Sequence, residues 1–151
     1  HDMEPSEFLG YVHDIDLSGI PSNPDLDKAL SKLSGRKIIY TNGTTSHAKR
    51  VLKQLSIYHH FEETFDIISA NYVPKPFPKP YELLIESYRI NPSKTIMVED
   101  LIRNLIPAAT LGMATVWVKS DQQFNLDLSN LSKIHHVVDD LTSWLSALTS
   151  P

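Results

Sequence analysis

The 151-residue sequence contains no cysteine. Disulfide bonds, thiolate nucleophiles and cysteine-ligated zinc are therefore excluded. A chain without cysteine is compatible with a reducing compartment, and we expect a cytoplasmic protein.

Concentrated positive charge and long apolar runs are also lacking. The 14 basic residues form no stripe and the formal net charge is −4, whereas nucleic-acid binding needs a concentrated positive surface. No apolar run approaches the ~20 residues of a membrane span, and the N-terminus does not follow the basic-then-apolar plan of a signal peptide. We therefore expect neither a nucleic acid nor a membrane as a partner.

The composition that is present indicates one globular domain. Hydrophobic residues make up 41% of the chain and charged residues 21%, a balance typical of proteins with a buried core. Short apolar segments alternate with segments of helical periodicity. Strands are predicted at residues 36–42, 65–70, 94–100, 114–120 and 134–140, and helices at residues 25–33, 46–61, 80–90, 104–113 and 141–150. This alternation predicts an α/β fold with a parallel sheet and helices on both faces.

A first group of polar residues follows the first predicted strand, at the place where open parallel sheets bind ligands. Thr41 and Asn42 end this strand, and Gly43 lets the backbone turn towards a ligand. The next helix, capped by Ser46 or Thr45, offers free N–H groups suited to an anion. Such a turn is common on its own, so its functional interpretation depends on the groups that accompany it.

Two charged groups follow later predicted strands. Glu99 and Asp100 end the third strand and offer the hard oxygen ligands that Mg²⁺ takes. Lys75 lies in a proline-rich loop after the second strand, where it could neutralise a phosphate and a carboxylate together. A hydroxyl, a lysine and an acid pair, each after its own strand, predict a phosphoryl group held beside a magnesium ion.

These segments resemble the haloacid dehalogenase-like (HAD) phosphohydrolases. IIYTNG is similar to the second motif of that family, Lys75-Pro76 to the third and IMVEDLIRN to the fourth. Within the superfamily, YVHDIDLS and VEDLIRNLIPAATLGM most resemble the pyrimidine 5′-nucleotidase branch. The resemblance implies a three-layer Rossmann-like core over residues 21–151, with residues 1–20 forming the end of a helical cap and its return to the core.

The activity that the resemblance implies is magnesium-dependent hydrolysis of a phosphate monoester, a nucleoside 5′-monophosphate, through an aspartyl-phosphate intermediate. Lys75 and Asp100 would be the catalytic residues, with Asp100 as the magnesium ligand. Glu99 would be either a second ligand or a partner beside the metal, and Asn104 would support this site from the following helix. The residues implied in phosphate binding are Thr41, Asn42, Gly43 and Lys75.

The pair Asp14 and Asp16 has the D-x-D-x-S form of a nucleophile motif. In the family the nucleophile ends a buried strand, whereas residues 8–15 have helical spacing and His13 directly precedes the first acid. We therefore expect that this pair is not the nucleophile and that the chain alone is inactive. The alternative, in which residues 8–13 form the central strand and Asp14 is the nucleophile, stays open.

On this interpretation the chain lacks the first, central strand of the family and most of the helical cap. Two neighbouring strands would then carry unpaired backbone groups, at a cost of about 1–3 kcal/mol for each buried group. We therefore expect an N-terminal segment upstream of this sequence, or a second chain, to complete the sheet.

Other interpretations of the same residues are a catalytically inert, phosphate-binding module of this fold, and a dehalogenase or phosphomutase. The adjacent histidine pairs at 59–60 and 135–136 invite a metal site. Because neighbouring side chains are expected to point apart on a helix or a strand, neither pair is predicted to bind a metal ion.

Overall fold

The protein is described by a computed structural model that covers residues 15–121 and 128–151. The chain divides into two compact units. The first comprises the described residues up to Tyr72 together with Leu145–Pro151, and the second comprises those within Val73–Trp144. The division into residues 1–20 and 21–151 stays a prediction.

Helices and strands alternate in both units. The first unit contains α1 (Pro24–Lys32), β1 (Ile38–Tyr40), α2 (Thr45–Gln54), a 3₁₀ helix (Tyr58–His60) and β2 (Glu63–Phe65). The second contains α3 (Pro78–Tyr88), a 3₁₀ helix (Pro92–Lys94), β3 (Ile96–Glu99), α4 (Ile102–Thr110), β4 (Ala114–Val118), a 3₁₀ helix (Leu128–Lys133) and β5 (His136–Val138). The last helix, α5 (Leu141–Leu148), begins in the second unit and ends in the first. None of the helices in the described part of the chain is both long enough and apolar enough to cross a membrane.

The strands form two parallel sheets. In the first unit β1 pairs with β2, with Ile38 opposite Glu63 and Tyr40 opposite Phe65. In the second unit the strand order is β3-β4-β5, and both pairings are parallel. The α/β fold with parallel sheets and helices on both sides is thereby confirmed. The strands β1 and β3, which were predicted to flank a missing strand, belong to different sheets.

The helix predicted at residues 46–61 ends early because the chain turns at Ser56. This residue has a left-handed backbone (φ 61°), and Leu55 is the C-cap of α2. The Ile57 N–H donates to the Leu52 carbonyl at 2.9 Å and the Ser56 N–H to the Lys53 carbonyl at 3.0 Å. These two bonds form a Schellman motif, which satisfies the last carbonyls of the helix and stops it.

The strand predicted at residues 65–70 also differs from the structure. Only Phe65 of that range is in a strand, because β2 lies upstream at Glu63–Phe65. Asp66 then accepts a hydrogen bond from the Ser69 N–H at 2.8 Å, and the Ala70 N–H donates to the Asp66 carbonyl. This turn removes the segment from the sheet, although its apolar residues are typical of a strand.

A small core supports β3 and the start of α4 in the second unit. Leu105 is fully buried, and Ile102 and Trp117 pack with it. At the other end of α4, Gly112 takes the left-handed conformation (φ 97°) predicted for a residue that closes a helix. The C-terminal end of β3 and the first turn of α4 are therefore held in place by this hydrophobic cluster.

Candidate active site

Four of the predicted site residues lie in the second unit, and they form a connected cluster around Glu99. Lys75 Nζ is 2.7 Å from Glu99 Oε1, and only 8% of each side chain is exposed. Asn104 Nδ2 donates to the same oxygen at 2.7 Å, and the Leu101 N–H donates to Glu99 Oε2 at 2.8 Å. Both carboxylate oxygens of Glu99 are therefore occupied by donors within the protein.

The backbone around the cluster is anchored by two aromatic side chains. Trp117 Nε1 donates to the backbone carbonyl of Asp100 at 3.1 Å. The hydroxyl of Tyr81, which is fully buried, donates to the backbone carbonyl of Asn104 at 2.5 Å. Sequence reasoning missed both roles, although Tyr81 ends the K-P-x-P-x-x-Y pattern that contains Lys75.

The pKa values of the neighbouring acids Glu99 and Asp100 are shifted in opposite directions. Burial opposes the ionisation of Glu99 most strongly. The positive charge of Lys75 and hydrogen bonds from Asp100, Lys75 and Leu101 nevertheless hold the pKa of Glu99 below its ordinary value. The pKa of Asp100 is raised, first by its side-chain hydrogen bond to Glu99 and then by burial and the charge of Glu99. Asp100 therefore gives up its proton less readily than Glu99, and a cation bound beside it would favour its ionised form.

Two oxygen-bearing groups beside Glu99 could hold a cation. Asp100 is exposed at the end of β3. Asn104 is only 3% exposed, and its Oδ1 atom is buried without a hydrogen-bond partner among the described residues. A carboxylate and an amide oxygen are hard ligands of the kind that Mg²⁺ takes. The residues present therefore fit a magnesium ion, and the role of Glu99, as a second ligand or as a partner beside the metal, stays a prediction.

The other predicted residues, Thr41, Asn42 and Gly43, lie in the first unit just after β1. The Thr41 N–H donates to the Phe65 carbonyl at 3.0 Å, which extends the β1–β2 pairing by one residue. The Gly43 N–H donates to Thr41 Oγ1 at 2.9 Å, and the Ile67 N–H donates to the Gly43 carbonyl at 3.1 Å. These bonds fix the turn that carries the three residues, while the Asn42 residue is exposed.

The N-cap of α2 is Thr44, so the prediction of Ser46 or Thr45 is wrong. The Thr44 hydroxyl oxygen accepts a hydrogen bond from the His47 N–H at 3.2 Å. Thr45 is the first helical residue, and both its N–H and its hydroxyl donate to Asp66 Oδ2 at 2.9 Å. The helix begins earlier than predicted because these side chains bind its first amides.

Asp66 is a buried carboxylate that the sequence interpretation overlooked. It is 5% exposed, and it accepts four hydrogen bonds, from the N–H and hydroxyl of Thr45 and from the N–H and hydroxyl of Ser69. Burial opposes its ionisation most strongly, but the four hydrogen bonds together lower the pKa of Asp66. The available signal was the D-x-x-S spacing directly after a strand, which is typical of a side-chain-capped turn.

The D-x-D-x-S segment is only partly within the described residues. Asp14 lies outside them, and so does most of the helix favoured for residues 8–15. Asp16 is exposed, and its Oδ1 accepts a hydrogen bond from the Ser18 N–H at 2.9 Å, which is the first cause that lowers the pKa of Asp16. The exclusion of this pair as a nucleophile motif stays a prediction.

The two adjacent histidine pairs behave differently from each other. His135 Nδ1 accepts a hydrogen bond from the Thr115 N–H at 3.0 Å within the second unit. His59 and His60, in contrast, both direct Nε2 to Asp27 Oδ1, so the prediction that their side chains point apart is wrong. The reason is that they lie on a 3₁₀ helix beside α1, with their rings packed 4.1 Å apart.

Comparison with known proteins identifies the family. The family model of the haloacid dehalogenase-like hydrolases matches residues 7–112. Glyceraldehyde 3-phosphate phosphatase of Pyrococcus furiosus is 29% identical over 111 residues, which cover 73% of this chain and 46% of that protein. Phosphoglycolate phosphatase of Pasteurella multocida is 29% identical over 112 residues, which cover 73% of this chain and 48% of that protein. The chain thus spans about half the length of the curated relatives it matches.

Solved structures are similar in fold. The crystal structure of a dehalogenase with an intermediate complex has a TM-score of 0.69 to this chain at 20% identity, and the match covers 85% of this chain and 57% of that one. At this identity the likeness shows a shared fold alone.

Proposed function

Because the chain belongs to the haloacid dehalogenase-like hydrolase family, we propose that it is the core of a magnesium-dependent phosphate monoester hydrolase. The observation that carries the proposal is the cluster in the second unit. A buried Lys75–Glu99 ion pair lies beside the exposed Asp100, and the buried Asn104 Oδ1 atom has no partner among the described residues. The named activities of two relatives, both phosphatases, support the same reaction.

In this proposal the residues of the second unit position charge. Asp100 would hold Mg²⁺, and Asn104 Oδ1 would serve as a further oxygen ligand. Bound magnesium supplies positive charge that offsets the negative charge of the phosphoryl group. Glu99 keeps Lys75 and Asn104 in place through its two hydrogen bonds. The Lys75 ammonium neutralises the phosphate and the attacking carboxylate.

The turn at Thr41–Gly43 is proposed as the phosphate-binding segment. Thr41 Oγ1 already accepts a hydrogen bond from the Gly43 N–H, so the hydroxyl hydrogen is oriented away from that bond and can be donated to a phosphate oxygen. Asn42 offers side-chain N–H donors on an exposed residue. Neutral donors of this kind bind phosphate oxygens without adding charge to the segment.

The nucleophilic aspartate is proposed to lie in a segment upstream of this sequence, on a strand that pairs with β3. The observation that favours this is that β3 pairs only with β4 among the described residues, so its other backbone edge can accept a further strand. The aspartate would attack phosphorus and release the alcohol, giving an aspartyl phosphate. Water would then attack that phosphorus, releasing inorganic phosphate and restoring the carboxylate.

The proposed substrate is a nucleoside 5′-monophosphate, on the strength of the resemblance of VEDLIRNLIPAATLGM to the pyrimidine 5′-nucleotidase branch. The relatives' names give the comparison substrates, glyceraldehyde 3-phosphate and phosphoglycolate. A cytoplasmic location is proposed with it, since such substrates are intracellular metabolites.

The experiment is a phosphate-release assay on two proteins, the 151-residue chain and the same chain with its upstream coding segment (the extended protein). Each is assayed with and without Mg²⁺ on a pyrimidine nucleoside 5′-monophosphate and the two comparison substrates. We expect magnesium-dependent release by the extended protein, fastest on the nucleotide, and none by the chain alone. Release from neither protein on any substrate would favour the alternative, a catalytically inert phosphate-binding module of this fold.

A further inference from the structure

Three potential metal ligands, Asp27, His59 and His60, lie close together in the first unit. None of them belongs to the proposed active site. His60 Nε2 is 2.5 Å from Asp27 Oδ1, and His59 Nε2 is 3.1 Å from the same oxygen. One ligand atom from each of the three residues lies within 4.8 Å of the other two. Among residues 15–121 and 128–151, this is the one group of three or more such side chains with that spacing.

The two elements that carry these ligands are fixed to each other through the backbone. Asp27 lies in α1, whose N-cap Asn23 accepts a hydrogen bond from the Leu26 N–H. The Asn23 N–H donates to the Leu55 carbonyl at 3.3 Å, which joins the start of α1 to the end of α2. The His60 N–H donates to the carbonyl of Ile57 at 3.1 Å, and Ile57 is 4% exposed. The ligands are therefore brought together by the scaffold before any ion binds.

The two imidazole nitrogens and the carboxylate oxygen are close enough to share one cation. Both imidazoles direct Nε2 to one carboxylate oxygen, instead of each ring using a separate oxygen of Asp27. Ligand atoms bound to zinc at about 2.0–2.1 Å in a tetrahedron lie about 3.3 Å from one another. The present distances of 2.5 and 3.1 Å from the Asp27 oxygen to the two nitrogens are within about 1 Å of that spacing.

We propose that Asp27, His59 and His60 form a binding site for a divalent transition-metal ion of the zinc class. Two imidazole nitrogens and a carboxylate oxygen suit zinc, nickel or copper, whereas magnesium takes oxygen ligands. The His60 side chain is 9% exposed and the His59 side chain 65% exposed, so water completes the coordination from the His59 side. The bound ion links α1 to the 3₁₀ helix that leads into β2, and it stabilises the first unit.

The test measures Co²⁺ and Zn²⁺ binding to the chain by the visible d–d absorption of Co²⁺, by competition with Zn²⁺, and by the thermal unfolding midpoint. We expect one ion per chain, tetrahedral Co²⁺ bands that Zn²⁺ abolishes, and a rise in Tm on adding Zn²⁺. His59→Gln, at an exposed position, and Asp27→Asn should each weaken binding by about tenfold to a hundredfold or more. His60→Gln should have at least the same effect.

The matched control is His136→Gln, which removes an exposed histidine from the other adjacent pair. We expect its affinity to match that of the unmodified chain within twofold. All variants keep His1 and His13, so binding by those residues would survive every substitution. Unchanged Co²⁺ spectra and affinity in both His59→Gln and Asp27→Asn would overturn the proposal, whether or not His60→Gln folds. Absence of any zinc-dependent rise in Tm in the unmodified chain would do the same for the stabilising role.

Discussion

Asp66 and the Glu99–Asp100 pair both lie at the C-terminal end of a parallel strand, yet the protein surrounds them in different ways. Asp66 accepts four hydrogen bonds from Thr45 and Ser69 and has a lowered pKa. Glu99 is occupied by Lys75 and two N–H donors, and the adjacent Asp100 has a raised pKa. A carboxylate whose acceptors are all filled stabilises the fold, whereas a carboxylate pair with one positive partner retains capacity for a cation.

The largest effect should come from Asp100→Asn in the extended protein, because it removes the proposed magnesium ligand while keeping the shape of the side chain. We expect phosphate release to fall by about 10²–10³-fold or more. Asp140→Asn is the control, since Asp140 is another acid after a strand, and its Oδ1 accepts a hydrogen bond from the Ser143 N–H. Rates that fall equally in the two variants would show that Asp100 has no special role.

Lys75→Met should strongly destabilise the second unit, because it leaves Glu99 buried without its cation. Breaking one partner of a buried ion pair costs about 3–5 kcal/mol of the free energy of unfolding. Urea unfolding followed by the fluorescence of buried Trp117 measures it. The control Lys79→Ala breaks the pair with Glu82, in which the side chains are 70% and 52% exposed, and should cost about 0–1 kcal/mol. Equal losses in the two variants would contradict the buried role of Lys75.

Asp66→Asn should lower the free energy of unfolding by about 1–3 kcal/mol, since the amide leaves buried donors and acceptors mismatched. The loss should depend on pH. The pKa of Asp66 is lower in the folded state, so its stabilisation is complete above the unfolded value of about 3.9 and is lost as pH falls through the folded value. The urea midpoint of each protein is measured at pH 7 and at about pH 3. The difference between the variant and the original should be smaller at the lower pH. A constant difference would show that ionised Asp66 is not what stabilises the turn.

The smallest effect is expected for Asp14→Asn. If this acid is not the nucleophile, phosphate release by the extended protein should stay within about twofold of the unmodified rate. A loss of the size expected for Asp100→Asn would instead assign the nucleophile to Asp14 and remove the reason for an upstream strand.

The sequence predicted the fold class and part of the site for identifiable reasons. Alternating apolar and helical segments indicate parallel strands, and the acids at the end of β3 could be located because ligand groups follow strands. The closing role of Gly112 was also predictable, since glycine takes positive φ readily. These features depend on residues that are close together along the chain.

Two of the features that were missed depend on contacts between distant residues. Asp66 binds Thr45, 21 residues away, and Asp27 meets His60, 33 residues away. No periodicity rule contains such pairings, because they arise only when the elements pack.

Mn²⁺ binding to the extended protein, followed by electron paramagnetic resonance, tests the central claim that the Glu99–Asp100 cluster is a cation site. We predict one bound ion per chain that Mg²⁺ displaces, a loss of that site in Asp100→Asn, and unchanged binding in Asp140→Asn. Equal Mn²⁺ affinity in the unmodified protein and in Asp100→Asn would contradict the claim.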